Sequence, residues 1–498
     1  MPENILGAEK NITEARMLEF GNGKEEYASK ESFGNKGSIL VGMSSLGIPV
    51  PPGFVLNVSV CEDYSKNSRH LPDDVANLLR QGILFIESVT GKVFGGPPPL
   101  MVSVRSGAAA SMPGSMETLL NVGLSRNTVR SLIARTGNPS FAWDSYRRLI
   151  EGFGRIVFSQ DPSIYRNLLN SAIDAAGIPE EKELDYMELR ELATKYERFF
   201  FDESGRPFPE EAYEQLEIAV RSVLDSWISP KAKEFREIQN IKGVRGTAVT
   251  IQTMVFGNMD LKSGSGIVFT RNPWIGDKLS VTDFRLEAQG EDLASGSRAG
   301  TLGFELGTAF PVVYKKLEGI GKELEDHFRD MQDIEFTVEE GKLYILQSRN
   351  GKRSPMAALR IAVDLVEEGL ISSNETLRKL GGIDLNSISV QKIRTDKPIL
   401  AKGDSASSGV AIGKIAFSSE REKSYAPGEA VILVREILIS DDLLGIHASA
   451  GLLASSGART SHAAVIARQM SKVCIVNCRE LKLDPGGRKC NIGGKEFM

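Results

Sequence analysis

Apolar residues recur at intervals of three and four through most of residues 124–240. "FAWDSYRRLIEGFGRIV" (141–157), "MELRELATKYERFFF" (187–201) and "PEEAYEQLEIAVRSVLDSWI" (209–228) each predict a helix with one apolar stripe. Pro209 followed by Glu210 and Glu211 marks a helix start with its acids at the positive end of the dipole. On both sides of this block the pattern changes. "GNKGSILVGMSSLGIPVPPGF" (34–54) interrupts a helical pattern with glycine and proline, and "PLMVSVRSGAAASMPGS" (99–115) reads as a buried strand entering a small-residue loop. After residue 240, strands are predicted at "TAVTIQTMVFG", "GSGIVFTRNP" and "KLSVTDFRLEA", then a hairpin at "DIEFTVEEGKLYILQSRN" (333–350). A helix at "SPMAALRIAVDLVEEGL" (354–370) leads into a polar stretch ending near Lys402, which reads as a linker. A compact unit follows, with strands at "SGVAIGKIAF", "EAVILVREIL", "GLLASSG" and "VCIVNC" and a helix after "ARTSH". No repeat or low-complexity tract interrupts these patterns.

A chain of 498 residues exceeds one core and implies three or four structural units. Its 41% hydrophobic and 25% charged content is ordinary for a globular protein. A net charge of −5 argues against a general nucleic-acid binder. No apolar run is long enough to span a bilayer, so no membrane partner is expected. "MPENILGAEKNITEARMLEF" has no apolar core and does not read as a secretory signal. Cys61, Cys474, Cys478 and Cys490 are too few for a disulfide scaffold and lack a nearby histidine pair, so reduced core cysteines and a cytoplasmic location are expected.

No stretch fits the Walker phosphate loop, so a bound nucleotide would need separate cations, an acidic pair and close-approaching glycines. The hairpin offers the acids. Asp333 and Glu335 lie two apart on a strand and share a face. A three-residue loop, Glu339-Glu340-Gly341, would pair Asp333 with Gln347 and bring Glu335, Gln347 and Arg349 to one side, a set suited to magnesium polyphosphate. A two-residue loop would put Gln347 on the opposite face from the carboxylates. The other reading of these residues is an exposed, salt-bridged hairpin face. Gly264, Ser265 and Gly266 could approach phosphates closely or form an ordinary turn. Lys36 and Arg105 are cations beside glycines or small residues, and surface charges are the plainer reading. In "ARTSHAAVIARQ" (458–469), Thr460 or Ser461 would cap a helix with His462 in its first turn. There the dipole disfavours imidazolium and keeps the ring nucleophilic, although a histidine beside an ordinary cap is also common.

Together these segments resemble the pyruvate, phosphate dikinase family, in order from about Phe33 to Cys478. The resemblance is carried by "GNKGS…GIPVPPGF", "VSVRSGAAASMPGSMETLLNVGL", "FAWDSYRR", "GTAVTIQTMVFGNMDLKSGSGIVFTRNP", "AQGEDLASG", "DIEFTVEEGKLYILQSRNGKRS", "RIAVDLVEEGLI" and "GARTSHAAVIAR". It implies a mixed α/β, α+β multidomain chain. An ATP-grasp nucleotide domain would span 1–123 and 241–352, with a helical insertion at 124–240, a helical linker at 353–402 and a swivelling β/β/α phosphohistidine domain at 403–498.

By the same resemblance, Lys36, Arg105, Asp333 and Arg349 would bind ATP or phosphate. A loop at Gly264, Ser265 and Gly266 would close over the phosphates, and Glu335 and Gln347 would hold Mg2+. His462 would carry the phosphoryl group, and Thr460 matches a position regulated in some members. ATP and inorganic phosphate are the implied partners, with AMP and pyrophosphate released and a homodimer as the candidate assembly. The sequence departs from the family in "SSGARTSH", where Arg459 adds charge beside His462, and in "LQSRNGKRSP" at the linker start. The family's C-terminal pyruvate or phosphoenolpyruvate barrel has no counterpart before Met498, and the tail looks short for the last strands of the phosphohistidine domain. The expectation is therefore an ATP- and phosphate-dependent half reaction that passes its phosphoryl group to pyruvate on a separate barrel chain. The alternatives are a carrier with a different acceptor, or a nucleotide-binding regulatory or scaffold relative.

Overall fold

The computed structural model describes residues 15–110, 112, 118–179, 181–238, 240–290, 301–302, 304–381, 383, 393–407, 409–417, 429–438, 442–457, 459, 462–470, 472–484 and 489–498. They form two compact units, Met1–Val255 and Phe256–Met498.

The first unit is built on a five-stranded antiparallel sheet. Its order is Met17–Phe20, Gly53–Leu56, Thr247–Thr253, Val102–Ala108 and Thr118–Val122. The chain leaves the sheet after Val122 and returns at Thr247 through a run of helices, which is the block of three- and four-residue apolar spacing. Local chemistry sets the helix ends. Ser125, Asn138, Asp161 and Asp185 each accept a backbone N–H at an N-terminus, and Gly137, Gly177 and Gly205 end helices in the left-handed region. Tyr146, Phe153, Tyr165, Tyr196 and Phe200 fill the interior. Tyr146 and Phe153 both meet Phe208 edge to face.

The second unit contains two larger sheets. The first is antiparallel, in the order Thr301–Leu302, Val281–Leu286, Gly264–Phe269, Gln332–Glu339 and Lys342–Asn350. Ile267, Phe269 and Met331 pack against Ala357, Ile361 and Leu365 of helix Pro355–Glu367, so the first helix of the expected linker shares the sheet's core. Arg271, fully buried just beyond strand Gly264–Phe269, joins three elements. It donates to Glu325 of helix Pro311–Phe328 at 3.0 Å and to Glu368 at 2.8 Å.

The second large sheet runs Asp404–Ser407, Val473–Val476, Gly451–Ala454, Val431–Arg435 and Lys414–Ala416. It is parallel except for the pairing of its first two strands. Helices Leu443–Ala448 and His462–Gln469 connect successive parallel strands, as such strands require. Ile446, Ala464 and Ala467 pack on one face with Leu433 and Leu452. The other face is closed by a three-stranded antiparallel sheet, Leu481–Leu483, Cys490–Ile492 and Lys495–Phe497, through Val434, Cys478, Leu481 and Cys490. The order is thus sheet, sheet, helix, and the covering sheet is formed by the tail that looks short in sequence. All four cysteines are buried and free. Among the described residues no helix is long and apolar enough to cross a membrane.

Candidate functional site

The hairpin Gln332–Glu339/Lys342–Asn350 turns through two residues, because Glu339 pairs with Lys342. Glu340 (φ 50°) and Gly341 (φ 78°) both take the left-handed conformation that such a turn requires. This corrects the expected three-residue loop, and Asp333 pairs with Arg349 instead of Gln347. A two-residue turn in an unbroken ladder would have separated Gln347 from the carboxylates. Instead, the register shifts between Glu335 and Phe336, where Leu346 is an extra residue on the second strand. The bulge brings Glu335 opposite Gln347, so Asp333, Glu335, Gln347 and Arg349 share one face after all.

Arg349 Nε donates to Asp333 Oδ2 at 2.8 Å, and its Nη2 lies 3.6 Å from Glu335 Oε1. Asp333 is buried, and its Oδ1 has no hydrogen-bond partner. Burial pushes the Asp333 carboxyl above the usual aspartate range, and Arg349 only partly opposes this. Burial works against the Arg349 guanidinium, but Asp333 and Glu335 outweigh it and hold Arg349 cationic. Asp283 is aligned with Ile267, which is aligned with Glu335, so a third carboxylate belongs to the same face. Among the described residues there is no cluster of three His, Cys, Asp or Glu side chains arranged to hold a metal. Two carboxylates, one with an unsatisfied buried oxygen, and an amide nevertheless fit a hard cation that fills its remaining positions with water and phosphate.

The expected phosphate loop at Gly264, Ser265 and Gly266 is a buried central strand. A Cβ on Gly264 would come 2.3 Å from the Phe284 ring, and one on Gly266 would come 2.4 Å from the Phe336 ring. Those rings stack with centroids 6.0 Å apart. Both glycines therefore make room for aromatic packing, while Ser265 bonds to Thr337 across the strands at 3.0 Å.

Lys36 and Arg105 belong to the first unit. Helix Lys30–Ser45 is kinked at Gly34 (φ 66°, ψ 165°), where an added Cβ would fall 1.8 Å from the Gly107 carbonyl oxygen. Only glycine permits this approach. It places Lys36, in the first turn after the kink, beside Gly107, whose Cβ would lie 3.5 Å from that of Lys36. Arg105 shares the Gly107 face and opposes Thr250, whose buried hydroxyl has no hydrogen-bond partner. Two half-buried cations therefore lie along the Val102–Ala108 strand, Arg105 at its centre and Lys36 beside Gly107.

Helix His462–Gln469 begins at the histidine itself. The His462 side chain, Thr460 and Ser461 lie outside the described residues. Within the helix, Arg468 is buried, and burial pushes its guanidinium down to about 10. Its Nε and Nη2 donate to the Ala406 carbonyl, and the carboxylate of Asp333 favours its charge. Sequence reasoning missed Arg468, Asp283 and Trp274. The available signals were an arginine inside an alanine-rich helix and a tryptophan in a polar loop, both too common to single out.

Residues 66–299 and 308–369 match the family profile described as pyruvate phosphate dikinase, AMP/ATP-binding domain, and residues 427–495 match that of the PEP-utilising enzyme, mobile domain. Pyruvate, phosphate dikinase 2 of Zea mays is 39% identical over 487 residues, covering 96% of this chain and 55% of the relative. Pyruvate, phosphate dikinase of Clostridium symbiosum is 40% identical over 474 residues, covering 93% and 54%. The chain spans about half the length of the curated relatives it matches.

Proposed function

The chain belongs to the pyruvate, phosphate dikinase family, and from that premise we propose that it transfers phosphoryl groups from ATP to His462 in a phosphate-dependent reaction, with pyruvate as the final acceptor. The observation that carries this reading is the single face shared by Asp333, Glu335, Gln347 and Arg349. An acidic, buried face with one firmly cationic guanidinium can hold a polyphosphate only if positive charge accompanies the nucleotide. Magnesium held by Glu335 and Gln347 would offset charge on the polyphosphate. Lys36 and Arg105 would bind phosphate oxygens, and Arg349 and Asp333 would orient the polyphosphate on the hairpin face.

The neutral imidazole of His462 attacks the β-phosphorus of ATP, so an N–P bond forms as the bond to the α-phosphate oxygen breaks and AMP leaves. An oxygen of inorganic phosphate then attacks the terminal phosphorus, releasing pyrophosphate and leaving phosphohistidine. The N-terminal N–H groups of the helix that starts at His462 favour the negative charge this places there. Thr460 is proposed as a regulatory position beside the carrier.

Labelling with ATP that carries radioactive β-phosphate tests the reading, with and without inorganic phosphate. The expected product is acid-labile and alkali-stable, absent from His462→Ala, and that variant keeps ATP affinity within about twofold. Equal labelling of the variant would remove His462 as the carrier.

A further inference from the structure

Arg459 precedes His462 by three residues, and it is tied to the carboxylate-bearing sheet in two ways. Its guanidinium lies 5.2 Å from the centroid of the Trp274 ring. Its Nη2 is 3.9 Å from Asp283 Oδ1, with side-chain exposures of 21% and 5%. The Arg459 carbonyl accepts from Arg468 Nη2 at 3.0 Å, and the Arg468 guanidinium is also 5.2 Å from the Trp274 ring and 5.4 Å from that of Phe269. Trp274 Nε1 donates at 2.8 Å to the same Ala406 carbonyl that Arg468 holds.

Trp274 is itself anchored on the sheet side. Its N–H donates to Asn272 Oδ1 at 2.9 Å, and its carbonyl accepts from Ser354 Oγ at 2.7 Å. The indole therefore meets two cations from the carrier element while its backbone is fixed beside the nucleotide-binding strands. The contacts differ in kind. The Arg468 bonds are buried and directional, so they set the helix in place. The Arg459 contacts are long-range, partly solvated and electrostatic, and they act on the segment that leads into His462.

We infer that Arg459 and Trp274 are positioning residues that dock the segment leading to His462 on the carboxylate face for the first phosphoryl transfer. Asp283 supplies the opposite charge, and the indole face supplies a surface over which the guanidinium can settle. This inference rests on His462 as the carrier, but the docking itself can be read without any chemistry.

The first readout is acrylamide quenching of tryptophan fluorescence in the full chain. The protein has three tryptophans, and Trp143 and Trp227 are buried. Comparison with Trp274→Phe gives the share of Trp274. Arg459→Met and Asp283→Asn should each raise quenching of that share about twofold with the melting temperature unchanged, and Arg459→Lys should recover part of the protection. Raising salt should do the same to the wild type and little to Arg459→Met. The second readout is the rate of His462 labelling at saturating ATP, expected to fall about tenfold in Arg459→Met at unchanged ATP KM. Quenching in Arg459→Met equal to the wild type would overturn the docking, as would a lysine variant no better than methionine. A wild type that takes no label, but shows the quenching differences, would instead overturn the carrier reading.

Discussion

Asp144 illustrates how single residues divide between stability and chemistry. It lies on helix Pro139–Val157, 2.5 Å from Arg147 Nη2 and 2.8 Å from Arg148 Nε. Burial would lift its carboxyl, but Arg148 and Arg147 outweigh burial and hold it at about 2. A depressed carboxylate contributes stability that is complete above the ordinary aspartate range and fades as pH falls through the folded value. Asp144→Asn should therefore cost about 2 kcal/mol at pH 7, with the difference closing between about pH 4 and pH 2. Urea titrations across that range check it, and a pH-independent difference would mean that packing, not charge, is responsible. Asp333 is shifted in the other direction, up rather than down. The same residue type is thus held by paired cations in one place and sits on a buried face with an unsatisfied oxygen in another.

At the scale of elements, the hairpin shows what a pattern of residues can and cannot convey. The Glu-Gly pair before Lys342 marks a turn, and the alternation of Asp333 and Glu335 places both on one face. The bulge at Leu346 leaves no such mark, because it arises where the two strands accommodate the sheet around them. Gly264 and Gly266 were legible as glycines needing close approach, and the groups that approach them closely in the structure are the rings of Phe284 and Phe336. Gly266→Ala should accordingly cost about 1–3 kcal/mol through overpacking against Phe336, leaving the ATP affinity of the folded protein unchanged. Denaturant unfolding and nucleotide binding measured together decide this. Lost affinity at unchanged stability would restore a phosphate role to the strand.

For the molecule as a whole, the connections between elements matter more than any element alone. Arg271 holds a strand end to helix Pro311–Phe328 and to Glu368 at the end of helix Pro355–Glu367. Removing one partner leaves a buried cation undercompensated, so Glu325→Gln should cost about 3 kcal/mol, whereas Lys278→Ala, at an exposed ion pair with Glu368, should cost under about 1 kcal/mol. Equal losses in denaturant titration would show that burial does not govern this cluster. The sequence by itself determined the helical block, the β-rich segments around it and the family, because periodicity and ordered motifs are local and linear. It also indicated that Asp333 and Glu335 share a face. Only the tertiary structure decided the pairing of Asp333 with Arg349, the buried strand at Gly264–Phe269, the meeting of Lys36 with Gly107, and the placing of Arg459 and Arg468 on Trp274 with Arg459 near Asp283. Those outcomes depend on strand register, on packing volumes and, for all but the hairpin, on contacts between residues far apart in the chain, none of which a local pattern encodes.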